Sequence, residues 1–301
     1  MSRRGWVLFA AMCVIWGIPY LLIKVAVYEL SPAMLVFART AIAALLLLPI
    51  AALRRELRPL LPYWAPVLAF AAIEIAVPWL LLGVAEQRIS STLTALLIAG
   101  VPLVAAVIAR TTGARERLGL QSALGLLLGL VGVFAIVGLN LDGVDPLAIG
   151  AMGLVVVCYA TGPAILQRYL QGVPGLAVIA VSLGITAVVY VPIAAVSAPE
   201  AIPSANVIGS VLGLSVVCTA VAFLVFFALI AEIGPARATV FIYVNPAVAA
   251  LLGVAILGED FTVGMGVGFA LVLAGSVLAT RPSVAAPPAD ISVLEPARDP
   301  V

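Results

Sequence analysis

Histidine is absent from this 301-residue chain, and charged residues make up only 10% of it. The absence of histidine removes imidazole bases, histidine proton relays and the usual imidazole-containing zinc sites. The three cysteines lie inside apolar runs, which argues against a disulfide framework or a thiolate metal site. No HExxH, GxSxG or phosphate-loop pattern occurs. We therefore expect no enzyme, no metal site and no cofactor.

Apolar residues dominate the composition instead. The sequence is 64% hydrophobic with a mean hydropathy of +1.27, whereas a soluble domain is roughly half apolar and about a quarter charged. The net charge of +1 offers no basic surface for nucleic acid. These values predict an integral membrane protein embedded in the lipid bilayer.

The apolar segments are long enough to cross a bilayer, which takes about 20 mostly apolar residues per helix. Charged and Pro/Gly-rich interruptions divide the chain into ten such segments, so we predict an all-α protein with ten transmembrane helices. The predicted spans are 6–27, 32–53, 63–84, 90–109, 119–138, 147–169, 174–197, 206–231, 236–257 and 262–280. The tail, 281–301, is Pro-rich and polar, and we expect it to be disordered.

The basic residues predict the orientation, because the side with more Lys and Arg stays cytoplasmic. With the N-terminus inside, the outer connections hold only Arg88. The inner side holds Arg3, Arg4, Arg54, Arg55, Arg58, Arg110, Arg115, Arg117, Arg168, Arg237, Arg281 and Arg298. Both termini are therefore predicted to be cytoplasmic, in a multi-pass protein of the cell (inner) membrane.

An internal repeat emerges when the chain is compared with itself at an offset of 144 residues. The matched pairs are Pro19 and Pro163, Lys24 and Arg168, and Pro102 and Pro246. Each half, 6–138 and 147–280, then holds five spans, and an odd number of spans inverts the second half relative to the first. Inverted repeats are typical of secondary transporters, whose binding sites lie beside proline-interrupted helices. We expect the first, fourth, sixth and ninth spans to line a cavity.

Three charged residues are candidate polar groups of this cavity. Among fourteen acidic residues, the span limits place only Glu74 deep, where it is either a proton-coupling or substrate-amine site or a structural acid. Arg39 lies about 10 Å below the outer surface. Its permanent charge needs a partner such as Glu74, a helix carbonyl end or a substrate carboxylate, and an architectural role is favoured. Lys24 lies near the outer mouth, where it could also snorkel to the interface.

Aromatic and amide side chains lie near the same kinks. Tryptophan and tyrosine present a wide apolar face with one hydrogen-bonding group, which suits a small amphipathic solute, although each one also fits packing within the bundle. These further candidates for the substrate pathway are Trp16, Tyr20, Trp79, Tyr159, Tyr243 and Asn245. The predicted helix kinks are at Pro19, Pro78, Pro102, Pro163 and Pro246.

Glycines recur at close-approach spacing on the fifth and tenth spans. They are Gly125, Gly129, Gly132, Gly264, Gly268 and Gly275. Such spacing permits close helix packing, which we expect within the monomer, with a homodimer contact as the alternative.

Two stretches resemble a known family. "WGIPYLLIKVAVYELSPAMLVFART" is similar to the opening of EamA-type proteins of the drug/metabolite transporter superfamily. "GPARATVFIYVNPAVAALLGVAILGEDFTVGMGVGFALVLAGSVLA" resembles the end of the second EamA repeat, with its mid-span Pro246 and its Gly258-Glu259 pair. The resemblance implies ten helices, a central cavity between two five-helix halves, and export of amino acids or other small metabolites. The first half ends in "ARERL" where a Gly-Glu pair is expected.

The predicted function is a secondary transporter, with export the expected direction, of a small metabolite such as an amino acid. It would act by alternating access around a midplane cavity, with protons as the candidate coupling ion. A passive facilitator of small solutes is one alternative, and a non-transporting membrane sensor or assembly protein is another.

Overall fold

Fifteen α-helices make up most of the computed structural model, which describes residues 2–111, 120–137 and 145–280. They are α1 (Arg3–Ile15), α2 (Pro19–Ala26), α3 (Pro32–Leu53), α4 (Trp64–Phe70), α5 (Val77–Glu86), α6 (Ser91–Ile98), α7 (Val101–Thr111), α8 (Leu120–Val137), α9 (Pro146–Tyr169), α10 (Gly175–Val196), α11 (Ala205–Leu212), α12 (Ala222–Ile233), α13 (Pro235–Ala238), α14 (Asn245–Leu257) and α15 (Val263–Thr280). These residues form no strand. The tail and Arg115, Arg117, Arg281 and Arg298 lie outside the described residues.

Eight helical segments are long and apolar enough to cross a membrane, with mean hydropathies between 1.9 and 2.7. They are Arg3–Ala26, Pro32–Leu53, Arg58–Glu86, Ser91–Ile108, Pro146–Tyr169, Gly175–Val196, Ala205–Ile233 and Thr239–Leu257. Two shorter apolar helices, Ala123–Val137 and Val263–Ala279, lie where the fifth and tenth spans are predicted. Large apolar side chains such as Leu45 and Val188 are 74% and 71% exposed. Such a surface suits lipid, and the predicted helical membrane class is confirmed.

Prolines begin a helix at three breaks. Pro19 is the first residue of α2, and three residues separate it from the end of α1 at Ile15. Pro102 and Pro246 stand second in α7 and α14, where the missing amide hydrogen costs no intrahelical bond. Pro163 differs, because α9 runs through it without interruption. Of the four spans predicted to line the cavity, the first, fourth and ninth therefore contain a break in the helix. The sixth span does not.

Two segments adopt π-helical geometry, Ala71–Ala76 between α4 and α5 and Gly213–Val221 between α11 and α12. The first contains Glu74 and ends two residues before Pro78, which cannot donate a backbone hydrogen bond. π-Helical turns are rare and often lie at functional sites. Adding the repeat offset of 144 to residues 71–76 gives 215–220, which lie inside the second segment. The two π-helical segments therefore occupy equivalent places in the two halves.

Glycines join α8 to α15 along a close seam. A Cβ built on Gly132 would lie 2.7 Å from the carbonyl oxygen of Gly268, and one on Gly268 would lie 2.5 Å from that of Gly132. Gly125 and Gly275 face each other in the same way. The two backbones are therefore in direct contact, and these glycines pack within the monomer.

Candidate substrate cavity

A cavity of about 230 Å³ lies between the helices of both halves. It is lined by Trp16, Pro19, Tyr20, Ile23, Arg39, Glu74, Ile75, Trp79, Leu82, Ile98, Val101, Tyr159, Pro163, Cys218, Phe223, Ile242, Asn245 and Pro246. The walls are mostly apolar and aromatic with a few polar groups, as is usual for small-molecule sites.

Ten of the fourteen predicted pathway and kink residues line this cavity, and four do not. The four outside the lining are Lys24, Tyr243, Pro78 and Pro102. Lys24 lies beside the end of α5, and Tyr243 ends the short 3₁₀ turn before α14. Pro78 and Pro102 each stand next to a break or bulge whose neighbouring residues reach the cavity.

Arg39 is the cation of the cavity and is 7% exposed. Its Nε donates a 2.9 Å hydrogen bond to the hydroxyl of Thr219. The guanidinium carbon lies 3.6 Å from the centre of the Trp79 ring, which is cation–π geometry. Among the described residues no carboxylate lies within 4 Å of Arg39. The two terminal nitrogens are therefore available to a ligand, since the described contacts engage only Nε and the ring-facing surface.

Glu74 supplies the carboxyl group of the cavity. One of its oxygens, Oε2, is buried without a hydrogen-bond partner. The carboxyl lies against α9 at Gly162, where an added Cβ would overlap it. Gly162 immediately precedes Pro163, whose missing amide hydrogen leaves the carbonyl of Tyr159 without its usual helical donor. Glu74 thus lies beside a buried stretch of helix backbone that lacks one of its usual hydrogen bonds, in a low-dielectric setting.

Polar side chains also donate hydrogen bonds to backbone carbonyls near the helix breaks. The Trp16 indole donates to the carbonyl of Cys218, within the second π-helical segment, at 3.3 Å. The Asn245 amide nitrogen donates to the carbonyls of Phe241 and Cys13, each at 3.1 Å, in the orientation that satisfies both groups. These bonds compensate backbone groups that a regular helix would satisfy internally. Asn245 therefore stabilises the broken helices as well as lining the cavity.

The lining is pseudosymmetric. Ten of its eighteen residues form five pairs separated by 144 positions. The pairs are Pro19 and Pro163, Glu74 and Cys218, Trp79 and Phe223, Ile98 and Ile242, and Val101 and Asn245. Equivalent positions of the two halves thus contribute to the lining, but the charges are not repeated, because the counterpart of Glu74 is Cys218.

Sequence reasoning missed several residues that shape the cavity, namely Gly162, Cys218, Thr219 and Phe223. The offset of 144 applied to Glu74 and Trp79 would have pointed to Cys218 and Phe223. No sequence signal identifies Thr219. Its contact with Arg39 depends on the packing of α3 against the π-helical segment Gly213–Val221. Within the described residues no group of three or more Cys, Asp or Glu side chains is arranged to hold a metal ion.

Glu86 is a buried acid that the sequence did not single out: it is 0% exposed and both its carboxyl oxygens lack a hydrogen-bond partner. Glu86 is the last residue of α5 and is followed by polar residues in the sequence. This pattern predicts a loop. Lys24 lies close to Glu86 and donates to the backbone carbonyls of Glu86 and Ile89 at that end of α5.

Glu259 closes the same end of the bundle from the second half of the chain. Its carboxylate accepts hydrogen bonds from the amides of Ser91 and Thr92, each at 2.8 Å, and from the Ser91 hydroxyl at 3.0 Å. Burial alone would raise the pKa of Glu259, but these hydrogen bonds outweigh it and lower the pKa below its usual value. Glu259 therefore stays ionised at neutral and mildly acidic pH.

Comparison with known proteins agrees with this architecture. The sequence pattern of the EamA-like transporter family matches residues 3–138 and again residues 146–281. The uncharacterized inner membrane transporter YedA of Escherichia coli K12 is 31% identical over 260 residues, which are 84% of this chain and 82% of YedA. An uncharacterized transporter of Archaeoglobus fulgidus is 25% identical over 288 residues, covering 92% of this chain and 99% of its own. A solved crystal structure with 18% identity has a TM-score of 0.65 over 93% of this chain and 97% of its own.

The fold and cavity define a multi-pass helical membrane protein with an internal polar site. The chain belongs to the EamA-like transporter family, as its resemblance predicted, and is a membrane transporter. Its relatives in Escherichia coli are named as inner membrane proteins, and this chain is assigned to the inner membrane. Membership of this family points to transport rather than catalysis.

Proposed function

We propose that this protein is a secondary transporter that exports a small metabolite such as an amino acid by alternating access around the cavity. The observation that carries the proposal is the coexistence of Arg39 and Glu74 in one small cavity without an ion pair between them. Buried charges normally pair with each other or mark a substrate or ion pathway. A zwitterion offers both partners, a carboxylate for Arg39 and an ammonium group for Glu74.

The cavity also suits such a solute in size and lining. About 230 Å³ holds a molecule of metabolite size, below the range of about 300–1,000 Å³ that is usual for drug-sized ligands. Trp16, Tyr20, Trp79 and Tyr159 contribute aromatic walls that accept an apolar side chain. The guanidinium fork can hold a carboxylate through two parallel hydrogen bonds.

The proposed topology is ten spans in two inverted repeats, 6–138 and 147–280, with both termini and the tail 281–301 cytoplasmic. The two separate family matches support the repeats, as do the five lining pairs at one offset. α8 and α15 would complete the count as the fifth and tenth spans. An odd number of spans per repeat then places the cavity on a pseudo-two-fold axis in the membrane plane.

Glu74 is proposed as the proton-coupling group. It is a half-buried acid in the cavity wall whose Oε2 is buried and unpartnered, so a change in its protonation changes the charge that a solute meets. Export is proposed from the family resemblance, and a proton entering in exchange for the solute would supply the driving force.

The test uses purified protein in liposomes with an imposed pH gradient. A growth-resistance screen of an overexpressing strain against toxic amino acids and metabolite analogues first selects the labelled solute. We expect the wild-type flux to follow the gradient and the Glu74→Gln flux to ignore it. Glu200→Gln, at an exposed acid, is the matched control and should behave like wild type.

Two other outcomes separate the alternatives. Wild-type flux that ignores the gradient would favour a passive facilitator and remove the coupling role of Glu74. The absence of flux for every solute that the screen selects would favour a sensor or assembly protein.

A further inference from the structure

Lys24 caps the end of a helix at the outer end of the bundle. Its Nζ donates to the carbonyl oxygens of Glu86, at 2.5 Å, and Ile89, at 2.9 Å. Glu86 is the last residue of α5, and carbonyls at a helix C-terminus lack intrahelical donors. A cation at this position also interacts favourably with the helix dipole. Lys24 therefore fastens α2 to the end of α5.

Glu259 fastens the other side of the same turn. Its carboxylate binds the first amides of α6, so the turn 87–90 is held by a cation where α5 ends and by an anion where α6 begins. Gly258 has φ of 65°, and this left-handed turn after α14 directs Glu259 at Ser91. Gly253 leaves room for the carboxylate, because a Cβ there would overlap it.

We call Lys24, Glu259 and the turn 87–90 the outer lock. Lys24 and the turn belong to the first half of the chain, whereas Glu259 belongs to the second. The lock thus joins α2, α5, α6 and the connection after α14 at one end of the cavity. In a protein that alternates between two openings, contacts of this kind must break when that end opens.

The other end of the bundle offers an equivalent cation and an equivalent helix end. The offset of 144 places Lys24 on Arg168, Glu86 on Ile230 and Ile89 on Ile233. Ile230 lies in the last turn of α12, which ends at Ile233, three residues beyond the counterpart of Glu86. The Ile230 carbonyl accepts the Gly234 amide at 2.9 Å and keeps a second lone pair for another donor. Among the described residues, however, the Arg168 side chain makes no hydrogen bond or ion pair. It is exposed, 5.5 Å from the centre of the Tyr169 ring.

We propose that Lys24 and Arg168 are alternating latches: Lys24 caps α5 when the outer end is closed, and Arg168 caps α12 on the carbonyls of Ile230 and Ile233 when the inner end is closed. The proposal rests on the inverted repeats and alternating access proposed above. Two halves that share one fold but differ in conformation can exchange conformations, which opens the opposite end. This structure, with the Lys24 latch made and the Arg168 latch free, is then the state closed at the outer end.

The chemistry of the two latches is matched. Lysine and arginine both donate several hydrogen bonds and carry a positive charge, so either can cap a helix C-terminus. Each latch stabilises only one state, and removing one shifts the balance toward the other. Hydrogen bonds that involve a charged group are strong enough for a shift of about tenfold.

The test is amide hydrogen exchange of the full-length protein in nanodiscs, without substrate. In Lys24→Ala we expect exchange about tenfold faster at residues 87–92 and several-fold slower at residues 230–236. In the double variant Lys24→Ala/Arg168→Ala the slowing at 230–236 should disappear. Lys24→Arg should retain the wild-type pattern.

Arg88→Ala is the matched control, because it removes a cation of the same turn whose side chain pairs with Asp145, at 2.6 Å, and leaves the bonds made by Lys24 and Glu259 in place. It should leave residues 230–236 unchanged. Faster exchange at 87–92 in Lys24→Ala, with no change at 230–236, would overturn the proposal and leave Lys24 as a local cap.

The flux measurement distinguishes this failure from failure of the transport proposal. Flux with only a local response to Lys24→Ala would retain transport and reject the latches. The reciprocal exchange response in a protein that moves no solute would retain the latches and reject transport.

Discussion

Replacing Arg39 by leucine separates a substrate-binding role from a structural one. The equivalent position in the second half, 144 residues on, is Leu183, which is fully buried in α10. α10 packs against α3, the helix that carries Arg39. The fold therefore already accommodates leucine at the equivalent position of the second half. Arg39→Leu removes the charge and introduces a side chain that the fold buries at that equivalent position.

The expected change in stability is small because opposing terms nearly cancel. The hydrogen bond from Arg39 to Thr219 stabilises the fold by roughly 1.5–3 kcal/mol, as hydrogen bonds to charged groups do. The contact with the Trp79 ring adds about 2 kcal/mol when it is desolvated. Against these, burying a cation without a counter-ion costs several kcal/mol. We expect the free energy of unfolding of Arg39→Leu to differ from wild type by less than about 2 kcal/mol.

Two assays check this reasoning. Reversible unfolding in mixed micelles measures the free energy of unfolding, and liposome flux with the selected solute measures transport. We expect flux of a carboxylate-bearing solute to fall at least tenfold, since a bidentate partner is lost. Arg39→Lys keeps the positive charge but lacks the planar guanidinium group that binds a carboxylate through two hydrogen bonds. We expect this variant to retain part of the flux.

A large loss of stability would refute the argument. Removing one partner of a buried ion pair typically costs about 3–5 kcal/mol. A loss of that size in Arg39→Leu would identify Arg39 as an architectural residue, and unchanged flux would exclude it from the binding site.

Two glycine substitutions test the geometry of the bundle. Gly162→Ala should displace the Glu74 carboxyl, so liposome flux should fall and lose its pH dependence as in Glu74→Gln. Gly153→Ala, on the same helix with open space around it, should keep the wild-type flux profile. Gly268→Ala should force α8 and α15 apart and lower the free energy of unfolding by about 1–3 kcal/mol. Gly150→Ala, which meets no atom within 4 Å, is its control in the same micelle assay.

The sequence was informative wherever hydrophobic length or proline chemistry decides the structure. Apolar length identified the membrane-crossing segments, and the charged and aromatic residues near predicted kinks include most of the polar cavity lining. Pro19 and Pro246 mark real breaks because proline cannot continue a hydrogen-bond ladder but readily begins a helix.

Features that depend on hydrogen-bond register or on contacts between distant helices could not be read in this way. The π-helical segments have the same apolar composition as regular helix, so their pattern gives no sign of the altered register. Glu86 lies next to Gln87 and Arg88, and its burial follows from the packing of the outer lock rather than from any local property. The contact of Arg39 with Thr219 joins residues 180 positions apart.

The cavity is lined by equivalent positions of both halves, but its charges come from one half only. Both charged groups, Arg39 and Glu74, come from the first half, and the second half offers Leu183 and Cys218 at the equivalent positions. Under the proposed alternating access, a solute held by these charges would move with the first half. The bond from Arg39 to Thr219 crosses between the halves, so rocking must stretch or break it. A carboxylate bound to Arg39 would replace the lost partner, which lowers the cost of the transition for the loaded carrier relative to the empty one.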